Sequence, residues 1–214
     1  MKSVITAGPT REHLDPVRFL SNPSTGKMGF AIAAEAARRG HDVTLVAGPV
    51  ALKAPKGVKR VDVVSAREML AACRAEIGRS PAVFISTAAV ADWRPAKCAA
   101  KKLKKGEMSG VLKLVRNPDI LKTLDRCRKQ SKTVDLRLVG FAAETNDVLS
   151  EAARKCREKG LEFIVANDVS EKGCGFGTDT NRVTFVFPDG TLTKFPLMTK
   201  RLVAKRILDE VSRL

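Results

Sequence analysis

Two glycine-bearing loops are the first places to look for chemistry. The run Ala7-Gly8-Pro9-Thr10-Arg11-Glu12 follows a strand-like segment but has one glycine where a G-x-G-x-x-G dinucleotide fingerprint needs three. The run Ser21-Asn22-Pro23-Ser24-Thr25-Gly26-Lys27-Met28 has the Gly-Lys of a Walker A loop. Ser21 replaces its first glycine and Met28 its hydroxyl residue, so the side chain that would hold magnesium in a P-loop is missing. The second loop can still receive an anion. Ser24, Thr25, Gly26 and Lys27 precede a helical run whose first amides are unpaired and whose dipole favours negative charge. An ordinary helix N-cap explains the same residues equally well.

Those loops need elements to position them. Lys2–Ala7, Asp42–Ala47, Arg60–Val64, Ala82–Ser86, Leu136–Phe141 and Glu162–Ala166 read as strands. Met28–Arg39 reads as an alanine-rich helix closed by Gly40, and Ala66–Ile77 as a helix capped by Ser65. Further helices are expected from Asn117, over Asn146–Lys159 and over 199–213. This alternation predicts a three-layer αβα, Rossmann-like fold with a mostly parallel sheet. Two stretches interrupt it. One is a flap at about 94–115, carrying a lysine cluster and the half-exposed pattern Gly110–Val115. The other is a hairpin over 182–195, with a Pro188-Asp189-Gly190 turn. No linker divides the 214 residues, so one domain is expected.

Lys plus Arg number 39 against 23 Asp plus Glu, a net charge of +16 that attracts polyanions without choosing among them. Five cysteines without a CxxC, and two histidines, exclude a zinc knuckle and a His-based metal site. A reduced, cytoplasmic protein follows, with no apolar run near the roughly 20 residues of a membrane span. A nucleic-acid-binding domain would need interleaved aromatics or a basic recognition helix. Aromatics make up 5% and the basic residues are scattered, so no specific nucleic-acid partner is expected. An NADPH-dependent reductase on the same fold is disfavoured by the failed fingerprint. Four adjacent positive charges predict that the loop 97–108 is mobile until an anion arrives.

Several separated segments are more specific taken together. Thr6–Glu12, Leu14–Asn22 and Ser24–Phe30 are followed by Ala88-Ala-Val-Ala-Asp-Trp-Arg-Pro95 and Lys102-Leu-Lys-Lys105. Then come Asn117-Pro-Asp-Ile-Leu121, Gly140-Phe-Ala-Ala-Glu-Thr145 and Ala166-Asn-Asp-Val169. In this order and spacing the chain resembles the phosphopantothenate–cysteine ligases of bacterial type, from about Ser3 to Val169 and more weakly beyond. Such ligases are commonly the C-terminal half of a bifunctional protein whose other half is a flavin-dependent decarboxylase. The decarboxylase's flavin-binding segments do not occur in this chain, so no flavin is expected on it.

The resemblance implies that the carboxylate of 4'-phosphopantothenate attacks the α-phosphate of CTP, releasing pyrophosphate and leaving an acyl cytidylate. The amine of L-cysteine then attacks the acyl carbon and expels CMP. Lys102 matches the first lysine of the family's K-x-K-K motif, implying a role at the charged phosphoryl transition state; by itself the cluster reads as a solvated basic loop. Asn22 matches the asparagine implied to hold the acyl oxygen during the cysteine step; an Asx-turn before Pro23 is its other reading. Asp92 matches an aspartate at the nucleotide site, either on the ribose or near a hydrated magnesium ion. Ser86, Thr87 and Ala88 would offer backbone groups to the base, and Phe141 would cover it or serve as core. Val115, Arg116, Asn117 and Pro118 match a segment touching the nucleotide, and Lys155 and Lys159 match two phosphate lysines. Arg11 is a further phosphate candidate. The implied set of partners is 4'-phosphopantothenate, L-cysteine, CTP with Mg2+, a second copy in a homodimer, and a flavin-dependent decarboxylase on the same or a separate chain. CTP rather than ATP follows from the bacterial type alone.

Overall fold

The computed structural model describes residues 1–78, 82–104, 106, 110–130 and 135–214. In chain order the elements are β1 (Lys2–Ala7), β2 (Glu12–His13), β3 (Phe19–Leu20), α1 (Lys27–Arg38), β4 (Asp42–Ala47), β5 (Val58–Asp62), α2 (Ala66–Ile77) and β6 (Ala82–Ser86). They continue as β7 (Trp93–Pro95), β8 (Leu114–Arg116), α3 (Ile120–Gln130), β9 (Leu136–Glu144), α4 (Val148–Glu158) and β10 (Phe163–Asp168). The chain closes with β11 (Thr180–Asn181), β12 (Val183–Val186), β13 (Leu192–Lys194), β14 (Met198–Thr199) and α5 (Lys200–Val211).

The central sheet has eight strands in the order β13-β12-β10-β9-β6-β1-β4-β5. From β10 to β5 every pairing is parallel, and β12 and β13 add an antiparallel edge. The chain enters at β1 in the middle, moves outward through β4 and β5, then returns to the opposite side of β1 with β6, β9 and β10. The strand order therefore reverses between β1 and β6. In such a sheet the crevice beyond the carboxyl ends of those strands is where ligands bind.

Both faces of the sheet are covered, and the strands accordingly read as near-continuous apolar runs. Ile5, Leu45 and Val165 pack with Ile32, Ala36, Val203 and Ile207, which places α1 and α5 on one face. Val4, Phe84 and Ile164 pack with Met69, Cys73, Leu124 and Cys156, which places α2, α3 and α4 on the other. Local chemistry sets the element ends. Ser65 Oγ accepts the Glu68 N–H at 3.2 Å while the Glu68 carboxylate accepts the Val64 N–H at 2.8 Å, a reciprocal cap on α2. The Gly40 N–H closes α1 on Ala37 O at 3.0 Å.

Several expected boundaries move. The third strand runs over Val58–Asp62 rather than 60–64, set by its register against Val43–Ala47. The strand expected to end at Phe141 continues to Glu144, because β10 pairs with it as far as Asp168↔Glu144. The last strand of the parallel set therefore runs over Phe163–Asp168 rather than 162–166. The helix expected from Asn117 begins at Ile120. Asn117 is held in the loop by its own contacts, and Asp119 Oδ1 instead accepts the Lys122 N–H at 3.0 Å. The helix expected over 146–159 spans Val148–Glu158, and the last helix is Lys200–Val211, capped by Thr199. The expected flap is anchored by an antiparallel ribbon of β7 and β8, and the hairpin of β12 and β13 joins the edge of the main sheet.

Candidate functional site

A cleft of about 390 Å³ opens at the carboxyl ends of β6, β9 and β10, on one side of the switch point. Its base is the start of α1. Gly26 precedes the helix in the left-handed region, at φ 77°, and no side chain caps the first turn. Gly26, Lys27, Met28 and Gly29 line the cleft, and an uncapped first turn is the arrangement that receives phosphate. Gly29 brings the turn close to the sheet. A Cβ there would lie 2.5 Å from Thr87 Oγ1, 2.6 Å from Ala7 Cβ and 2.8 Å from Thr6 O. Gly29→Ala is expected to lower stability by about 1–3 kcal/mol, because two of those neighbours belong to backbone or a fixed methyl. Denaturant unfolding checks this, with an unchanged midpoint as the contrary result.

The structure brings many of the sequence candidates together. Asn22, Ser24, Thr25, Gly26 and Lys27 line the cleft with Thr87 and Ala88. So do Asp92, Phe141, Lys155 and Lys159. Ser86, Arg116, Asn117 and Pro118 line an adjoining cleft of about 410 Å³, shared with Asp92, Phe141 and Lys159. Asn117 knits this second wall together. Its Nδ2 donates to Ala91 O at 2.8 Å, its N–H donates to Asp92 O at 2.8 Å, and its Oδ1 accepts from Arg94 at 3.2 Å. Among the described residues nothing hydrogen-bonds the Asp92 carboxylate. Phe141 serves both of its readings, since it packs on the core and also lines both clefts.

Asn22 likewise does two things. Its Oδ1 accepts the Ser24 N–H at 3.1 Å, the Asx-turn, while its Nδ2 donates to Ala89 O at 2.6 Å and the residue lines the cleft. Three other candidates stand away from the cleft walls. Arg11 lies over the Phe19 ring, 4.6 Å from its centroid. Val115 pairs with Arg94 in the β7–β8 ribbon. Lys102 is exposed on its loop and lines neither cleft.

That loop is nonetheless tied to the body. The Ala99 N–H donates to Leu14 O at 2.8 Å. The Leu103 N–H donates to Asp15 Oδ2 at 3.2 Å, and Arg18 donates to Leu103 O at 2.9 Å. Asp15 is fully buried, and the Arg18 guanidinium beside it holds its carboxyl well below the usual carboxylate range, so the clamp stays ionised. These ties bear on the expected mobility of 97–108, whose positions 105, 107 and 108 lie outside the described residues.

A family model described as the DNA/pantothenate metabolism flavoprotein C-terminal domain matches residues 1–214. The chain belongs to that family. Coenzyme A biosynthesis bifunctional protein CoaBC of Escherichia coli K12 is 49% identical over 211 residues, covering 97% of this chain and 50% of that protein. The CoaBC of Bacillus subtilis 168 is 47% identical over 212 residues, covering 99% and 51%. The chain thus spans about half the length of the curated relatives it matches. A crystal structure of the C-terminal domain of CoaBC aligns with a TM-score of 0.81 at 43% identity, covering 98% of this chain and 93% of that one. A Cab2 mutant in complex with phosphopantothenate-cysteine aligns at 0.79 and 14% identity, covering 99% and 86%, a likeness of fold.

The sequence assigned no role to several walls of this cleft, although Asn167 lies in one of its matched segments. Asn167, Asn181 and Lys200 line it, as do Gly175, Phe176 and Gly177. Asn167 is buried; its Nδ2 donates to Cys174 O at 2.9 Å, and its Oδ1 has no hydrogen-bond partner among the described residues. Its signal in the sequence was a polar pair, Asn167-Asp168, closing an apolar strand. Lys200 and Asn181 gave none, since each reads as surface until α5 and β11 fold back on α1. Among the described residues no three His, Cys, Asp or Glu side chains group to hold a metal. Nor is any described helix long and apolar enough to cross a membrane.

Proposed function

We propose that this chain is a phosphopantothenate–cysteine ligase domain acting in coenzyme A biosynthesis, with CTP as the activating nucleotide. The observation that carries the reading is the cleft itself. It joins the open amides of α1 to four lysines, Lys27, Lys155, Lys159 and Lys200, beside the switch point of the sheet. That is a polyanion site with an organic wall of Phe141, Thr87 and Ala88. Identity of 43–49% with CoaBC relatives, over nearly all of this chain, points the same site toward coenzyme A synthesis.

The work of each residue follows from charge. The α1 amides and the lysines neutralise a triphosphate approached by a carboxylate, two anions that otherwise repel. Lys102 is brought to the phosphoryl group by its loop as charge builds there. Asn22 then holds the acyl oxygen while the cysteine amine attacks. Magnesium keeps most of its waters and binds through one or two carboxylates plus substrate phosphates, so the small donor set here fits it. Asp92 is the residue that would hold it, and it would supply charge neutralisation to the phosphates. The exposed Trp93, Leu112 and Leu114 on the flap ribbon support a homodimer formed through this face.

Pyrophosphate release tests the reading, measured with 4'-phosphopantothenate, magnesium and cysteine. Release is expected to require 4'-phosphopantothenate and to be faster with CTP than with ATP. Faster release with ATP overturns the base assignment and keeps the ligase. No release with either nucleotide from folded protein overturns the ligase.

A further inference from the structure

Every lysine lining the cleft is already engaged. Lys27 Nζ donates to Gly177 O at 2.6 Å and to Asp179 Oδ1 at 2.7 Å. Lys155 pairs with Glu144, and Lys159 Nζ lies 3.0 Å from Asp119 Oδ2. Lys200 donates to Thr178 O and to its Oγ1. Three of these partners are carboxylates, and two of them, Glu144 and Asp119, reach the cleft walls from separate elements. Glu144 is the last residue of β9 and lines the cleft, while Asp119 precedes α3 and lines the adjoining one. The lysine side chains are 30% and 23% exposed, so these are half-buried pairs at the cleft wall.

An anion entering this cleft meets three lysines whose charge carboxylates already compensate, while the fourth, Lys200, is hydrogen-bonded to neutral groups of Thr178. It must either sit beside the carboxylates, which repel it, or take their place. We propose that Glu144 and Asp119 are positioning residues that work by exchange. Each holds its lysine extended at the cleft wall while no anion is bound, limiting the cost of an unpaired half-buried ammonium. Phosphoryl oxygens then draw the lysine ammonium off its carboxylate, and the carboxylate reclaims it as pyrophosphate departs. The two carboxylates thereby limit how tightly the cleft holds polyphosphate and so speed product release. The inference rests on the polyphosphate reading given above.

A fixed structural pair has the opposite signature. If Glu144 only oriented Lys155 toward the ligand, neutralising it would loosen the lysine and weaken binding. The test is calorimetric titration of pyrophosphate and tripolyphosphate into the wild-type chain, Glu144→Gln and Asp119→Asn. Both substitutions keep shape, and asparagine at 119 keeps the oxygen that accepts the Lys122 N–H. Each variant is expected to bind roughly three- to tenfold more tightly, as loss of a partly exposed competing ion pair allows. Stopped-flow dissociation of pyrophosphate should slow by a similar factor. In a Lys155→Met background the Glu144→Gln gain should shrink, because the exchange then has no lysine to release. Unchanged or weaker binding in the variants, with wild type binding normally, overturns the exchange and leaves the polyphosphate reading standing. Failure of wild type to bind either anion overturns both.

Discussion

Lys102→Gln is expected to reduce pyrophosphate release by about a thousandfold or more, which is roughly 4 kcal/mol of transition-state stabilisation at 1.36 kcal/mol per tenfold. The loss should fall on kcat, with KM for the nucleotide changed only a few-fold. The reason is positional. Lys102 stands outside the cleft, so it contributes little to ground-state binding. Its neighbour Leu103 is gripped on both backbone polar groups by Asp15 and Arg18, which leaves the side chain at 102 as the part free to reach inward. A cation that arrives only as charge develops raises kcat rather than lowering KM. Glutamine is one bond shorter, keeps the polarity and removes the charge. Measured release within tenfold of wild type would make the 102–105 cluster a solvated basic loop, and the phosphoryl charge would belong to Lys27, Lys155, Lys159 and Lys200 alone.

Asn22→Asp is expected to separate the two half-reactions. Pyrophosphate release should persist, while formation of the cysteine adduct falls by about 10²–10³-fold, the usual effect of losing one oxyanion donor. An acyl nucleotide should accumulate and be visible by mass spectrometry of the quenched reaction. The local geometry favours a clean result. Aspartate retains the oxygen that accepts the Ser24 N–H, so the turn leading into α1 survives. It loses the amide that donates to Ala89 O and places a charged oxygen near that carbonyl, so the side chain both loses its donor and repels a developing oxyanion. If Asn22→Asp blocks pyrophosphate release as strongly as Lys102→Gln does, the proposed division of labour fails.

Much of this protein is legible in its sequence because the information is local. The strands Lys2–Ala7, Asp42–Ala47 and Ala82–Ser86 and the helix Ala66–Ile77 fall where the reading put them. Their apolar runs, period and caps lie within a dozen residues, and a parallel sheet buried on both faces makes those runs unmistakable. The start of α1 was readable to within one residue, but whether its first amides were capped or open was settled only by the folded chain. The tertiary structure decided everything that depends on pairing across the sheet. The lengths of β5, β9 and β10 were set by their neighbours' register, and α3 began late because Asn117 was drawn into contact with Ala91 and Asp92. It also decided which cations share a site. Lys27, Lys155, Lys159 and Lys200 meet in one cleft although up to 173 positions separate them, and Lys102, the most conspicuous lysine in the sequence, stands outside it. A basic residue carries no local mark of its partner. Whether it faces water, a carboxylate or a substrate is fixed by through-space electrostatics that only the folded chain assembles.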